Sequence, residues 1–80
     1  MTDFILFGTE ACHLCEEAEA LVQALGLSCK TQDIIEDLQL QQRYGLRIPV
    51  LWHAASGAEL SWPFDADGLR QFIEQARALR

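Results

Sequence analysis

The sequence predicts an α/β domain with the element order β-α-β-α-β-β-α. Three observations lead there. An apolar run near the N-terminus is followed, within about 30 residues, by a helical periodicity and a second extended segment, the pattern of a right-handed βαβ unit with parallel strands. A Ser56–Gly57 pair separates two further extended segments and reads as a hairpin turn. The residues after Pro63 carry apolar positions at helical spacing.

Taken in order, residues 3–8 read DFILFG, with a continuous apolar run from Phe4 to Phe7 closed by Gly8, as a buried central strand requires. From Cys12 to Leu25 the apolar positions Leu14, Ala18, Leu21, Val22 and Leu25 trace one face of a helix. Glu16, Glu17 and Glu19 favour the N-terminal half of that helix electrostatically. Gly26 ends it, as a left-handed C-terminal residue does. Leu27 to Ile34 reads as the second strand. Residues 33–44 hold a short helix with Leu38 and Tyr44 facing inward, flanked by Asp33 and Asp37 as caps and closed by Gly45. Arg47 to His53 reads as a strand interrupted early by Pro49, and Ala58 to Trp62 as its returning hairpin partner. Asp65 or Asp67 caps the last helix, whose apolar face is Leu69, Phe72, Ile73, Ala76 and Leu79.

The chain has 80 residues and is read as a single domain over 1–80, with no repeats, linkers or low-complexity tracts. A domain this small buries about 60–65% of its unfolded surface, so its core is small. The composition, 50% hydrophobic and 22% charged, is that of a globular domain. Net charge is −6, and the basic residues Lys30, Arg43, Arg47, Arg70, Arg77 and Arg80 are scattered. Nucleic-acid binding needs clustered Lys and Arg, so that class is excluded. No segment approaches the about 20 apolar residues of a membrane span, and Asp3 stands where a signal peptide would be basic. These features predict a cytoplasmic protein without membrane contact. In a reducing compartment a close cysteine pair serves catalysis or metal binding more readily than a permanent staple, and three cysteines make an incomplete disulfide framework.

Cys12 and Cys15 flank His13 and Leu14 at the start of the first helix. Only a thiolate attacks a disulfide, and a free cysteine is mostly thiol at neutral pH. Unpaired backbone N–H groups at a helix start favour the thiolate by about 0.3–1 kcal/mol when exposed and about 2 kcal/mol when partly buried. That corresponds to about one pKa unit. His13 is a candidate modulator of the thiol pKa, opposed by Glu10, Glu16 and Glu17. The spacing makes Cys12 the exposed nucleophile and Cys15, a turn further on, the resolving thiol that closes an intramolecular disulfide. Two other readings stay open. C-x-x-C is also half of a zinc site, which Cys29 and His53 would have to complete. The pair could also be inert, on a domain used for redox-inactive interaction.

C-x-x-C after an apolar strand and before an amphipathic helix, in this element order, resembles the thioredoxin fold. The small size resembles its glutaredoxin branch, and the segment RYGLRIPVL, residues 43–51, agrees with both. The whole chain, including ELSWPFD, is similar to small bacterial glutaredoxin-like proteins. The resemblance implies a four-stranded mixed sheet flanked by helices. It implies a cis peptide bond before Pro49, set against the cysteine pair, with the Ile48 N–H and C=O free to pair with an extended substrate. Arg47 and Asp65 are the candidate contacts to a glutathione moiety. The implied activity is thiol–disulfide exchange with a disulfide-containing protein or a glutathione mixed disulfide. The protein would be a monomer with no cofactor and no metal, and glutathione is a candidate electron donor. Three features depart from the glutaredoxin pattern. His13-Leu14 replaces the usual Pro-Tyr, Thr9-Glu10-Ala11 lacks the preceding lysine, and Trp62-Pro63-Phe64 stands where a Gly-Gly pair is usual.

Among the remaining residues, Cys29 reads as a small buried strand residue and His53 as a surface or strand-end residue. Trp52 and Trp62 read as hairpin packing residues. Asp33 or Asp37, if buried near Cys15, could accept a proton from it.

Overall fold

A computed structural model describes residues 3–78. The elements are β1 (Phe4–Gly8), α1 (His13–Ala24), β2 (Cys29–Asp33), a 3₁₀ turn (Ile34–Glu36), α2 (Leu38–Tyr44), β3 (Val50–His53), β4 (Glu59–Ser61) and α3 (Ala66–Ala78). The order is the predicted one, with the 3₁₀ turn added. The strands form one sheet in the order β2-β1-β3-β4. β1 runs parallel to β2, in register Phe4 with Cys29, and antiparallel to β3, in register Phe7 with Val50. β3 and β4 form the predicted hairpin, turning through Gly57 at φ +76°.

Alternation along the strands divides the apolar residues between two layers. Phe4, Leu6 and Leu51 pack with Ala18 and Val22 of α1 and Leu69, Ile73 and Ala76 of α3. Phe7 and Val50 point the other way, with Ile34 and Tyr44. The sheet is therefore sandwiched between α1 and α3 on one face and α2 on the other. Its central strand β1 contributes to both layers, which is why its sequence is apolar at consecutive positions. Leu79, assigned above to the apolar face of α3, lies outside the described residues. No helix among the described residues is long and apolar enough to cross a membrane.

Several expectations are corrected. Leu14 is 44% exposed and Leu38 is 68% exposed, so neither faces inward. The buried face of α1 runs instead through Cys15, Ala18 and Val22. α2 has only seven residues and buries Tyr44 at its end, while Leu38, in its first turn, stays in solvent. β2 starts at Cys29 rather than Leu27, β3 at Val50 rather than Arg47, and β4 spans only Glu59–Ser61. His53 is at the end of its strand but is buried, not at the surface. Its ring lies 4.7 Å from that of Phe4, and its Nδ1 is 2.7 Å from Ser56 Oγ. The hairpin folds back to supply that hydroxyl, and the polar partner makes the burial affordable.

Candidate functional site

The site is built where β1 ends and α1 begins. After Gly8 the chain turns through Ala11, which adopts a left-handed φ of 56°. That conformation costs a residue with a Cβ about 1–2 kcal/mol. It delivers Cys12 to the cap position of α1 with extended backbone. There the Cys12 sulfur accepts the Cys15 backbone N–H at 3.1 Å, satisfying one of the orphan donors of the first turn. Cys15 is buried on the inner face of the helix, whereas Cys12 is half-buried. Their Cα atoms are 5.2 Å apart and the two sulfurs are at disulfide distance. Behind Cys15, Gly8 leaves the room its sulfur needs: a Cβ on Gly8 would lie 3.0 Å from Cys15 Sγ.

His13 does not sit over the sulfurs as a buried partner would. It is exposed, and its Nε2 lies 3.8 Å from Glu17 Oε2, one turn along the helix. Ile48 and Pro49 lead into β3. Because Val50 pairs with Phe7 near the end of β1, they lie at the sheet end from which the cysteine loop departs. The Ile48–Pro49 peptide bond is cis, as is Trp62–Pro63. The expectation that both polar groups of Ile48 are free is corrected. Its N–H donates to the Tyr44 carbonyl at 3.0 Å, because the chain leaving α2 satisfies the last carbonyls of that helix. Pro49 has its ring fully buried, and its carbonyl accepts the Trp62 N–H at 3.0 Å.

The two other substrate-contact candidates also have internal partners. Arg47 donates to Glu59 Oε1 at 2.8 Å and to Ser61 Oγ at 2.9 Å. Asp65 accepts the Gly68 N–H at 2.7 Å and caps α3. Sequence reasoning missed the cluster around Glu59, which also accepts from Arg43 at 3.2 Å and from the Tyr44 hydroxyl at 2.6 Å. The Tyr44 hydrogen bond, then the two arginines, hold the Glu59 carboxyl below its usual range against the opposing effect of burial. Burial, with the neighbouring Glu59, raises the Tyr44 hydroxyl. The cluster ties the end of α2 and the loop before Pro49 to β4.

Asp37 caps α2 as predicted, through the N–H groups of Gln39 at 2.9 Å and Leu40 at 3.2 Å, whereas Asp33 caps the preceding 3₁₀ turn rather than α2, through the N–H of Ile35 at 2.9 Å. Cys29 is half-buried, and desolvation raises its thiol to about 11. It is not gathered with the pair and His53. Among the described residues no three His, Cys, Asp or Glu side chains converge to hold a metal.

A groove of about 420 Å³ opens beside Cys15, between the first turns of α1 and the end of β2. Ala11, Glu10, Glu16, Glu19 and Asp33 are among the residues lining it.

Comparison with curated proteins finds no match. Among solved structures, the chain is similar to the X-ray structure of protein XcR50 from X. campestris. Identity is 38%, covering 90% of this chain and 96% of that one, with a TM-score of 0.82. The solution structure of XcR50 agrees, at 37% identity, covering 92% and 95%, with a TM-score of 0.81. Protein Ne2328 from Nitrosomonas europaea is 28% identical over 88% of each chain, with a TM-score of 0.75. The fold is thus thioredoxin-like. Residues 3–74 match the glutaredoxin-like domain (DUF836). With a cysteine pair at a helix start, on this sheet and at this similarity, the chain belongs to the glutaredoxin-like domain family.

Proposed function

We propose that the protein is a thiol–disulfide oxidoreductase working through Cys12 and Cys15. The observation that carries this reading is the asymmetry of the pair. Cys12 is half-buried at a helix cap, and Cys15 is buried within bonding distance of it. In the reduced protein, the N–H of Cys15 and the helix-end field favour the Cys12 thiolate. That thiolate attacks a substrate disulfide, joins one substrate sulfur and releases the other as a thiolate. Cys15 then gives up its proton and attacks Cys12 Sγ, which closes the Cys12–Cys15 disulfide and frees the second substrate thiolate. Two electrons pass from the pair to the substrate, and the two protons lost by the pair end on the substrate thiols. The sulfurs carry the electrons, so the reaction needs no further cofactor. A reducing compartment such as the cytoplasm, with a thiol donor to regenerate the pair, suits this cycle.

The test is alkylation and mass measurement across a series of thiol/disulfide buffers. A reversible two-hydrogen change confined to Cys12 and Cys15 is expected, and Cys15→Ser should accumulate a mixed disulfide on Cys12. A pair that stays in one state across −150 to −320 mV, about the span of cellular thiol poise, would leave an interaction domain as the better description.

A further inference from the structure

Continuing the β1–β3 register one residue beyond Phe7 and Val50 sets Pro49 across from Gly8, the position against which the Cys15 sulfur lies. A chain joined to Cys12 therefore leaves the pair beside the Ile48–Pro49 segment. Ile48 is half-buried there, and its N–H is taken by the Tyr44 carbonyl. None of the backbone bonds that hold the segment uses the Ile48 carbonyl. That carbonyl is the group on which an extended peptide can pair.

The segment is held in place largely by one side chain. Its backbone contributes only the Arg47 and Ile48 N–H groups, which share the Tyr44 carbonyl, and the Pro49 carbonyl, which accepts the Trp62 N–H. Arg47 Nη2 donates to both Glu59 Oε1 at 2.8 Å and Ser61 Oγ at 2.9 Å, and the guanidinium carbon stands 5.4 Å from the centre of the Tyr44 ring. Glu59 is fixed in turn through its other oxygen, which accepts the Tyr44 hydroxyl at 2.6 Å. Tyr44 is buried and stacks on Phe7 with 4.7 Å between ring centres. A chain of contacts thus runs from β1 through Tyr44 and Glu59 to Arg47, one residue before Ile48. The Glu59 side chain is 18% exposed, so this ion pair is better shielded from solvent than those of His13 with Glu17 or Arg70 with Asp67.

Resting on the exchange reading above, we infer that Arg47 and Glu59 are positioning residues for peptide and protein disulfides. Their ion pair holds the Ile48 carbonyl where a segment joined to Cys12 pairs with it. Arg47 acts through Glu59 and not on a substrate carboxylate. A disulfide too small to reach Ile48 gains nothing from the pair. The bond changes are those given above: the reduced Cys12–Cys15 pair is oxidised, and the substrate disulfide is reduced to two thiols.

The experiment times oxidation of the whole reduced protein by acid quench and alkylation. The oxidants are hydroxyethyl disulfide and the disulfide-linked dimer of an uncharged, end-blocked peptide with a central cysteine. Each rate is divided by that of the same disulfide with dithiothreitol, and the peptide-to-hydroxyethyl ratio is the readout. The ratio should be about ten in the parent protein and fall at least about fivefold in Glu59→Ala and in Arg47→Met, within the about 10²-fold that a 1 Å misplacement can cost. The double variant should fall no further than the lower single variant, because both remove one interaction. A ratio within one protein cancels changes in the Cys12 thiolate fraction, and urea titration confirms that each variant is folded. Arg47→Met, at the more exposed end of the pair, carries the test if Glu59→Ala does not fold. A parent ratio near one, or an unchanged ratio in Arg47→Met, would overturn the inference. Additive losses in the double variant would do so too, since they would make Arg47 a direct contact. If neither disulfide oxidises the pair, the exchange reading itself falls.

Discussion

At the start of α1 the Cys12 sulfur accepts the Cys15 N–H at 3.1 Å, and at the start of α3 the Asp65 carboxylate accepts the Gly68 N–H at 2.7 Å. Both residues fill the same structural position, three residues before the donor, and both meet the positive end of a helix. The carboxylate takes no part in electron transfer, so its interaction with the helix end contributes to stability and to nothing else. The sulfur is a weaker acceptor and becomes an anion only when the pair is reduced, so the same field acts on its reactivity. One architectural device thus serves folding at one helix and chemistry at the other, and the two roles should separate under mutation.

Cys12→Ser should produce the largest effect. Serine is a good cap, so stability should stay within about 1 kcal/mol of the reduced parent protein in urea titrations. Exchange should nevertheless fall by at least about 10³-fold, because a serine hydroxyl is no substitute for a thiolate. Glu59→Gln extends the comparison to a carboxylate away from any helix start. It weakens the bonds to Arg43, Arg47 and Tyr44 and should cost about 2 kcal/mol by the same titration. The Glu59 carboxyl lies below its usual 4.5 in the folded state. Its contribution is therefore present above 4.5 and is lost as pH falls through the folded value. The parent protein should lose more stability than Glu59→Gln over that acid range.

Asp65→Ala should cost about 1 kcal/mol and leave the rate of exchange with an uncharged disulfide unchanged within about twofold, the mirror image of Cys12→Ser. The smallest effect concerns the third cysteine. Its thiol is raised from 9.0 to about 11 by desolvation, so the folded state holds the proton more tightly than the unfolded state. Stability associated with it is fully present below pH 9 and declines between pH 9 and about 11. Cys29→Ala should make that decline shallower, and Cys29 should alkylate far more slowly than reduced Cys12 at pH 8.

Much of this arrangement is legible from local pattern. The order of elements, the Asp37 and Asp65 caps and the deeper burial of Cys15 than of Cys12 all follow from residues within a turn or two of one another. What escaped depends on distant partners. Glu59 is separated from Arg43, Tyr44 and Arg47 by 16, 15 and 12 positions, and only the β3–β4 hairpin brings them together. The burial of His53 depends on Phe4 from the far end of the chain. The internal partner of the Ile48 N–H depends on how the chain leaves α2. Leu38 misled for another reason: a seven-residue helix has too few turns for its apolar spacing to define a face.

Gly8 links the strand to the chemistry. The absence of a side chain at the last position of β1 is what lets the Cys15 sulfur settle against the sheet. The redox motif is therefore not portable as a four-residue cassette. Grafted after a strand that ends in a larger residue, the inner thiol would be pushed outward. It would then meet solvent and stray oxidants, and the division of labour between the two sulfurs would blur.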